Sequence, residues 1–283
     1  MSSQWWYPSG SPKAVIQIIH GMCEHIGRYD NFAKMLVQQE YAVFACNLPG
    51  HGPDCPHLGY AEGDMWASSL EQIRASAAEI RQTFPGLPFA VFGHSYGSYL
   101  LQRLIPELDA DAFILSGSCR QQDPVKLQAL LGKATVSPKN GPADDLTALT
   151  FGAYNSRFAG EGKNAWLSRN QTQVKKYNAD PLCGFTASYN FYRGMYHGLI
   201  ELCDPAFPPK ASRPTPILLI SGKEDPVGRF GDGVTALADL YRQKAYSVQL
   251  VLYENARHEV LNEENRSEVY ACILDFLDRT LIE

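Results

Sequence analysis

A serine hydroxyl attacks a carbonyl near neutral pH only when a base takes its proton and an acid orients that base. This chain of 283 residues carries residues spaced for all three roles. The serine is Ser95, centred in Gly93-His-Ser-Tyr-Gly97, where an apolar run ends abruptly and a small-residue helical segment begins at Tyr96. Glycines two places before and after it let the incoming strand and outgoing helix nearly touch, so the turn exposes the serine at the mouth of a sheet. The pentapeptide is weak alone, being common by chance; its setting between strand and helix carries the signal.

The partners are expected downstream. An apolar run at 217–220 leads into Ser221-Gly-Lys-Glu-Asp-Pro226, and another at 248–253 leads into Glu254-Asn-Ala-Arg-His-Glu259. His258 is therefore the expected base, on a loop after the last strand. Asp225 is the expected orienting acid, with Glu224 as its neighbouring competitor. The oxyanion formed on attack needs two N–H donors. One is expected from Tyr96, at a helix N-terminus, and one from Met22 in the loop His20-Gly-Met-Cys-Glu-His25, which Gly21 lets turn inward. His20, Glu24, His25 and Arg28 are expected to fix this loop by hydrogen bonds. His51 has no second ligand at metal-binding spacing, and no metal or organic cofactor is expected.

The elements that would position these residues alternate. Short apolar runs at 14–20, 41–47, 89–93, 111–116, 216–221 and 247–253 predict strands, and helical spacing predicts helices over 29–39, 66–83, 234–243 and 264–281. That alternation predicts a mostly parallel sheet covered on both faces. It lapses between Cys119 and Pro209, read as a mainly helical insertion after the sixth core strand. The division is thus 1–118 core, 119–209 helical insertion and 210–283 core. The insertion holds ten Lys/Arg and seven Asp/Glu, a balance of +3, against fifteen and twenty-three elsewhere, −8. Phe185, Tyr189, Tyr192 and Tyr196 fall at helical spacing and predict one aromatic face. Tyr154, Phe158, Tyr189 and Tyr192 are the candidate substrate contacts, packing onto the core being the plainer role for any one of them.

Composition excludes several classes. The net charge is −5 with no basic stripe, so nucleic acid is not an expected partner. No apolar stretch is long enough to span a membrane, and the first residues resemble no secretory signal. Seven scattered cysteines without paired spacing argue against a disulfide framework or zinc site, making a reducing cytoplasm the expected compartment.

The motifs His20-Gly-Met-Cys-Glu-His-Ile-Gly-Arg-Tyr29, Asn47-Leu-Pro-Gly-His-Gly52, Gly93-His-Ser-Tyr-Gly97, Ser221-Gly-Lys-Glu-Asp-Pro226 and Ala256-Arg-His258 occur in chain order. Together with Phe151-Gly-Ala-Tyr-Asn-Ser-Arg-Phe158 and Trp166-Leu-Ser-Arg169, they resemble the monoacylglycerol lipase and lysophospholipase group of α/β-hydrolases, including its serine aminopeptidase-like members, most closely the bacterial ones. The resemblance covers nearly the whole chain. It implies an α/β-hydrolase fold of about seven or eight strands with a helical cap, and favours Asp225 over Glu224 through the Asp-Pro pair. Asn47 stands where the group usually has aspartate, Cys23 where the lipases often have glycine, and Tyr96 where methionine is commoner. The segment before Ala14 is short for the fold, so a first edge strand is expected to be missing.

The activity implied is hydrolysis of a monoacylglycerol- or lysophospholipid-like ester through an acyl-enzyme on Ser95. The partner is then a small ester or lipid, and the insertion is the expected place of any transient membrane-surface contact. Two alternatives remain open. A peptidase would need a carboxylate for the substrate's ammonium group, with Glu161, Asp180 and Glu201 as candidates; a small-ligand receptor would keep the fold with little turnover.

Overall fold

The computed structural model describes residues 2–60 and 62–282. Seven strands form one sheet: β1 (Ser3–Trp6), β2 (Ala14–Ile19), β3 (Tyr41–Cys46), β4 (Phe89–His94), β5 (Ala112–Ser116), β6 (Pro216–Gly222) and β7 (Ser247–Tyr253), in the order β1-β3-β2-β4-β5-β6-β7. Only β1 runs antiparallel, pairing Ser3 with Cys46 on β3. The segment before Ala14 does form an edge strand, contrary to expectation, although only four residues long.

Every residue of β2 and of β4 is buried, as parallel strands covered on both sides require. Alternate side chains serve opposite faces. Ile16, Ile18, Ala90, Phe92, Ile114 and Ile220 pack against α1 (Asp30–Gln38) and α9 (Arg266–Leu281). Val15, Val91, Phe113, Leu115 and Leu219 pack against α2 (Met65–Thr83), α3 (Tyr96–Leu104) and α8 (Asp232–Gln243).

Between β5 and β6 the chain forms α4 (Pro124–Val136), α5 (Asp144–Phe151), two short 3-10 segments (Ser156–Phe158 and Ala165–Leu167), α6 (Gln171–Ala179) and α7 (Tyr189–Glu201). This stretch follows the fifth strand, not the sixth. Asp123 caps α4 by accepting the Lys126 N–H at 2.9 Å, with Pro124 at the first helical position. Phe185 lies before α7, so the expected four-residue aromatic face is three residues long. Tyr189, Tyr192 and Tyr196 turn that face to α5, with hydroxyls bonded to Asp145, Thr147 and Thr150 at 2.7, 3.0 and 2.7 Å.

The other side of α7 joins the main core: Phe191, Met195 and Leu199 pack in the cluster that includes Trp66 and Leu70 of α2. Contact there requires glycine, since a β-carbon at Gly198 would lie 2.0 Å from the Trp66 ring. Gly198→Ala is therefore expected to cost about 1–3 kcal/mol by overpacking. The urea midpoint should fall with an unchanged m-value, and an unchanged midpoint would contradict this packing.

Candidate active site

Ser95 lies between β4 and α3 in a backbone few non-glycine residues adopt, φ 51° and ψ −117°. Two close approaches explain its glycines. A β-carbon at Gly93 would sit 2.7 Å from the Gly97 carbonyl oxygen, and one at Gly97 would sit 2.5 Å from that of His20. The Ser95 N–H donates to the Ser116 carbonyl at 2.9 Å, continuing the sheet, while its own carbonyl accepts from Ser98 at 2.9 Å and begins the helix.

His258 and Asp225 meet at the same edge. The His258 Nδ1 lies 3.0 Å from both Asp225 carboxylate oxygens, and the pair is almost wholly buried. Asp225 also accepts the Val227 N–H at 2.8 Å and the Ser221 hydroxyl at 3.1 Å. Burial alone would raise its pKa, but the charge of His258 and these hydrogen bonds hold it below the usual carboxylate range. For His258, burial opposes charging, yet Asp225 outweighs it and lifts the imidazole above its ordinary value. Glu224 makes no such contact with His258.

The histidine ring packs against two others in tilted contacts, with centroids 4.8 Å from His94 and 5.0 Å from Trp166. Burial and neighbouring His258 push His94 down to about 4, so it stays neutral beside His258. Gly117, at φ 59°, makes room: a β-carbon there would lie 2.8 Å from His258 and 3.2 Å from His94. Neither Trp166 nor Gly117 was singled out from sequence for this contact, because their proximity to His258 arises only when strands distant in sequence are paired.

The loop after β2 faces Ser95, since a β-carbon at Gly21 would lie 3.2 Å from the Ser95 β-carbon. Among the described residues, neither the Met22 nor the Tyr96 N–H has an acceptor. His20 accepts the Leu48 N–H at 2.9 Å and donates to its neighbour's carbonyl, while His51 accepts the Cys23 N–H at 3.1 Å and donates to Pro49. Two neutral imidazoles thus brace the loops after β2 and β3 against each other, and burial pushes His51 down to about 3. Cys23 has φ 57°, which accounts for the glycine common at its position in the resembled lipases. Its carbonyl accepts from the Tyr177 hydroxyl at 3.1 Å and the Gly184 N–H at 2.9 Å. Asn47 accepts the Ile26 N–H at 3.0 Å and donates to Ser2, a role its amide nitrogen makes possible.

Behind the loop lies a buried ion cluster. Glu24 accepts the Gly21 N–H at 2.6 Å, the Tyr29 hydroxyl at 2.7 Å and Arg28 at 2.5 Å. Arg28 also grips Glu259, the residue after His258, through two bonds of 2.6 and 2.7 Å. Burial disfavours the Glu24 charge, but Arg28 overrides it and brings the pKa down to about 2.

Met22, Ser95, Tyr96 and Tyr154 line one cavity of about 600 Å³, within the size range of small-molecule sites. Phe158, Tyr189 and Tyr192 are not among its lining residues. Phe158 lies under the Arg257 guanidinium at 3.9 Å, and the two tyrosines face α5. Tyr99, Leu127, Leu130, Met195 and Leu199 line it instead. The set Asp123, Lys126, Leu127 and Leu130 on one side of α4 has helical spacing that sequence could have flagged. The Tyr96 ring is buried against Phe191, 5.2 Å between centroids.

Glu161 pairs with Arg257 at 2.8 Å, Asp180 with His25 at 2.9 Å and Glu201 with Arg103 at 3.2 Å; none lines the cavity. His25, Asp180 and Cys183 have ligand atoms within 4.8 Å of one another. However, His25 Nδ1 accepts the Gly27 N–H, so Nε2 carries the proton given to Asp180, leaving no ring lone pair for a metal.

A parallel sheet with strained serine, buried His–Asp pair and flanking N–H groups at its carboxyl edge defines an α/β-hydrolase. A family model described as serine aminopeptidase, S33, matches residues 10–265, and the chain belongs to that family, within its monoacylglycerol lipase-like group. It is 27% identical to human monoglyceride lipase over 275 residues, covering 92% of this chain and 80% of that one. It is 25% identical to phospholipase YtpA of Bacillus subtilis (strain 168), covering 97% and 99%. The solved structure of a lipase in its open form superposes with a TM-score of 0.89 at 28% identity, covering 99% of this chain and 94% of the other.

Two outcomes follow from this geometry. Arg28→Met strands two buried carboxylates and should cost about 3–5 kcal/mol of stability in denaturant titration; a loss under 1 kcal/mol would contradict the cluster's role. If His258 is the base, only its neutral form acts, so kcat/KM should fall with acidification through a midpoint above about 6.5, and Asp225→Asn should lower that midpoint. An unmoved midpoint would contradict the pairing.

Proposed function

We propose that this protein hydrolyses esters of the monoacylglycerol or lysophospholipid kind through an acyl-enzyme on Ser95. It is a carboxylic ester hydrolase. The observation that carries the mechanism is the buried His258–Asp225 pair beside a strained serine. His258 takes the Ser95 proton, Asp225 holds the imidazole and balances its charge, and the Met22 and Tyr96 N–H groups receive the oxyanion. His258 then protonates the departing alcohol, and water, deprotonated by His258, releases the acid and restores Ser95. None of these steps calls on a cofactor.

The stretch 119–209 acts as a cap over the serine, with Tyr154 and the apolar side chains of α4 and α7 receiving the acyl chain. Val125, Val136 and Leu149 are exposed on α4 and α5 at 75%, 87% and 56%, which supports a transient contact between this cap and a lipid surface. Relatives bearing lipase and phospholipase names support lipolytic chemistry. The peptidase alternative loses ground because its three candidate carboxylates are each paired with a cation away from the cavity. A receptor would have no use for strained backbone at Ser95. Seven free cysteines fit a reducing compartment, and the cytoplasm is the compartment we assign.

A panel of p-nitrophenyl esters beside monoacylglycerol, lysophosphatidylcholine and aminoacyl anilides tests the reading. kcat/KM should rise by up to about fourfold per added methylene, the equivalent of ~0.8 kcal/mol, until the cavity is filled. A flat response would remove the acyl channel, and preference for the anilides would overturn the esterase reading.

A further inference from the structure

The cavity around Ser95 carries more positive charge than a neutral ester requires. Arg120, Lys126 and Arg229 line it against a single acid, Asp123, whose carboxylate is engaged in capping α4. The other arginines of the stretch 119–209 are all occupied. Arg157 lies over the Phe230 ring at 3.4 Å, Arg169 pairs with Glu263 at 3.0 Å, and Arg193 donates to the carbonyls of Ala134, Thr135 and Ser137. Arg120 differs. It is half-buried, and among the described residues neither its guanidinium nor the Lys126 ammonium has a hydrogen-bond or ion-pair partner.

The Arg120 backbone and the Arg229 side chain both meet Gly233 near the start of α8. The Gly233 carbonyl accepts the Arg120 backbone N–H at 3.1 Å, and a β-carbon there would lie 2.8 Å from Arg229 Nε. A further Arg229 nitrogen donates to Gln122 at 2.7 Å, tying it to the entry of α4. Arg229 and Phe230 both have left-handed backbone, at φ 51° and 56°, which persists only where the surroundings enforce it. Three cations and one acid leave a formal balance of +2 within the serine's own cavity.

We propose that Arg120, with Arg229 and Lys126, is a subsite for a phosphate monoester on the substrate, so that the preferred ester is a monoacylglycerol phosphate rather than a neutral monoacylglycerol. The inference rests on the acyl-ester reading of this cavity and names the head group it takes. A phosphate monoester carries about −1.5 to −2 charges near pH 7, matching that balance, and its oxygens suit the planar fork of an arginine. Partial burial strengthens the pairing by excluding water.

The test is equilibrium binding of two uncleavable ligands below their critical micelle concentrations: dodecyl glyceryl ether and its phosphate, with inorganic phosphate as a third probe. Each is titrated into the Ser95→Ala enzyme with and without Arg120→Gln, thermal melts confirming that both fold. The phosphate ether should bind roughly tenfold tighter than the neutral ether, and Arg120→Gln should erase most of that ratio, with a smaller loss for Lys126→Gln. Equal binding of the two ethers, or a ratio untouched by Arg120→Gln, would overturn the subsite. Inorganic phosphate binding as tightly as the phosphate ether would show a free-anion site and overturn the substrate assignment. Since neither ether is cleaved, the ratio stands apart from turnover; inactivity toward every ester strikes the hydrolase reading alone.

Discussion

One guanidinium, Arg28, sits between two buried carboxylates, and the site's geometry depends on it. Glu24 holds the Gly21 N–H and so fixes the loop carrying Met22, while Glu259 follows His258 directly in the chain. The loops carrying Met22 and His258 leave strands β2 and β7, which lie far apart in the sheet order. Nothing in the sheet's own hydrogen bonds ties those loops to each other. A buried ion pair contributes little net stability over an apolar replacement, but removing one partner is costly, so the cluster specifies geometry more than it adds stability. Its net negative charge also helps raise the His258 pKa, after the larger effect of Asp225.

The sheet supplies the remaining order. Parallel strands bring their carboxyl ends to one edge, and Ser95, Asp225 and His258 each follow the end of a different strand. That is why these three positions stood out in the chain: each lies in a turn signal just after an apolar run, and the shared direction of the strands sets the edge on which it falls. The helices over 66–83 and 234–243 were legible for a similar reason, being long and amphipathic. The Arg28 cluster was legible only as a set of hydrogen-bonding residues, because the partner Glu259 lies 231 positions away. The cavity lining was the least accessible. Aromatic spacing drew attention to Tyr189 and Tyr192, yet the same periodicity serves helix-to-helix packing, and the hydroxyls bonded to α5 show which use prevailed.

The stretch between β5 and β6 is bound to the core at several places, among them Arg169 to Glu263 and Glu161 to Arg257. Its last helix shares the main apolar core, and α6 with the segment after it fastens Cys23 through the Tyr177 hydroxyl, the Gly184 N–H and the Phe185 carbonyl. Cys23 is the neighbour of Met22, so these contacts bear on the loop that carries one expected oxyanion donor. The departure at Cys23 gives the loop a thiol that donates at 3.1 Å to the Phe185 carbonyl, a tie that a glycine would lack.

The central claim is that these loops assemble one acyl-transfer site on Ser95. Intact-mass analysis of enzyme quenched with acid during turnover of a p-nitrophenyl ester tests it most directly. The account predicts a single added acyl group, mapped by peptide fragmentation to Ser95. Turnover that continues in Ser95→Ala, or an acyl group carried on another residue, would contradict it.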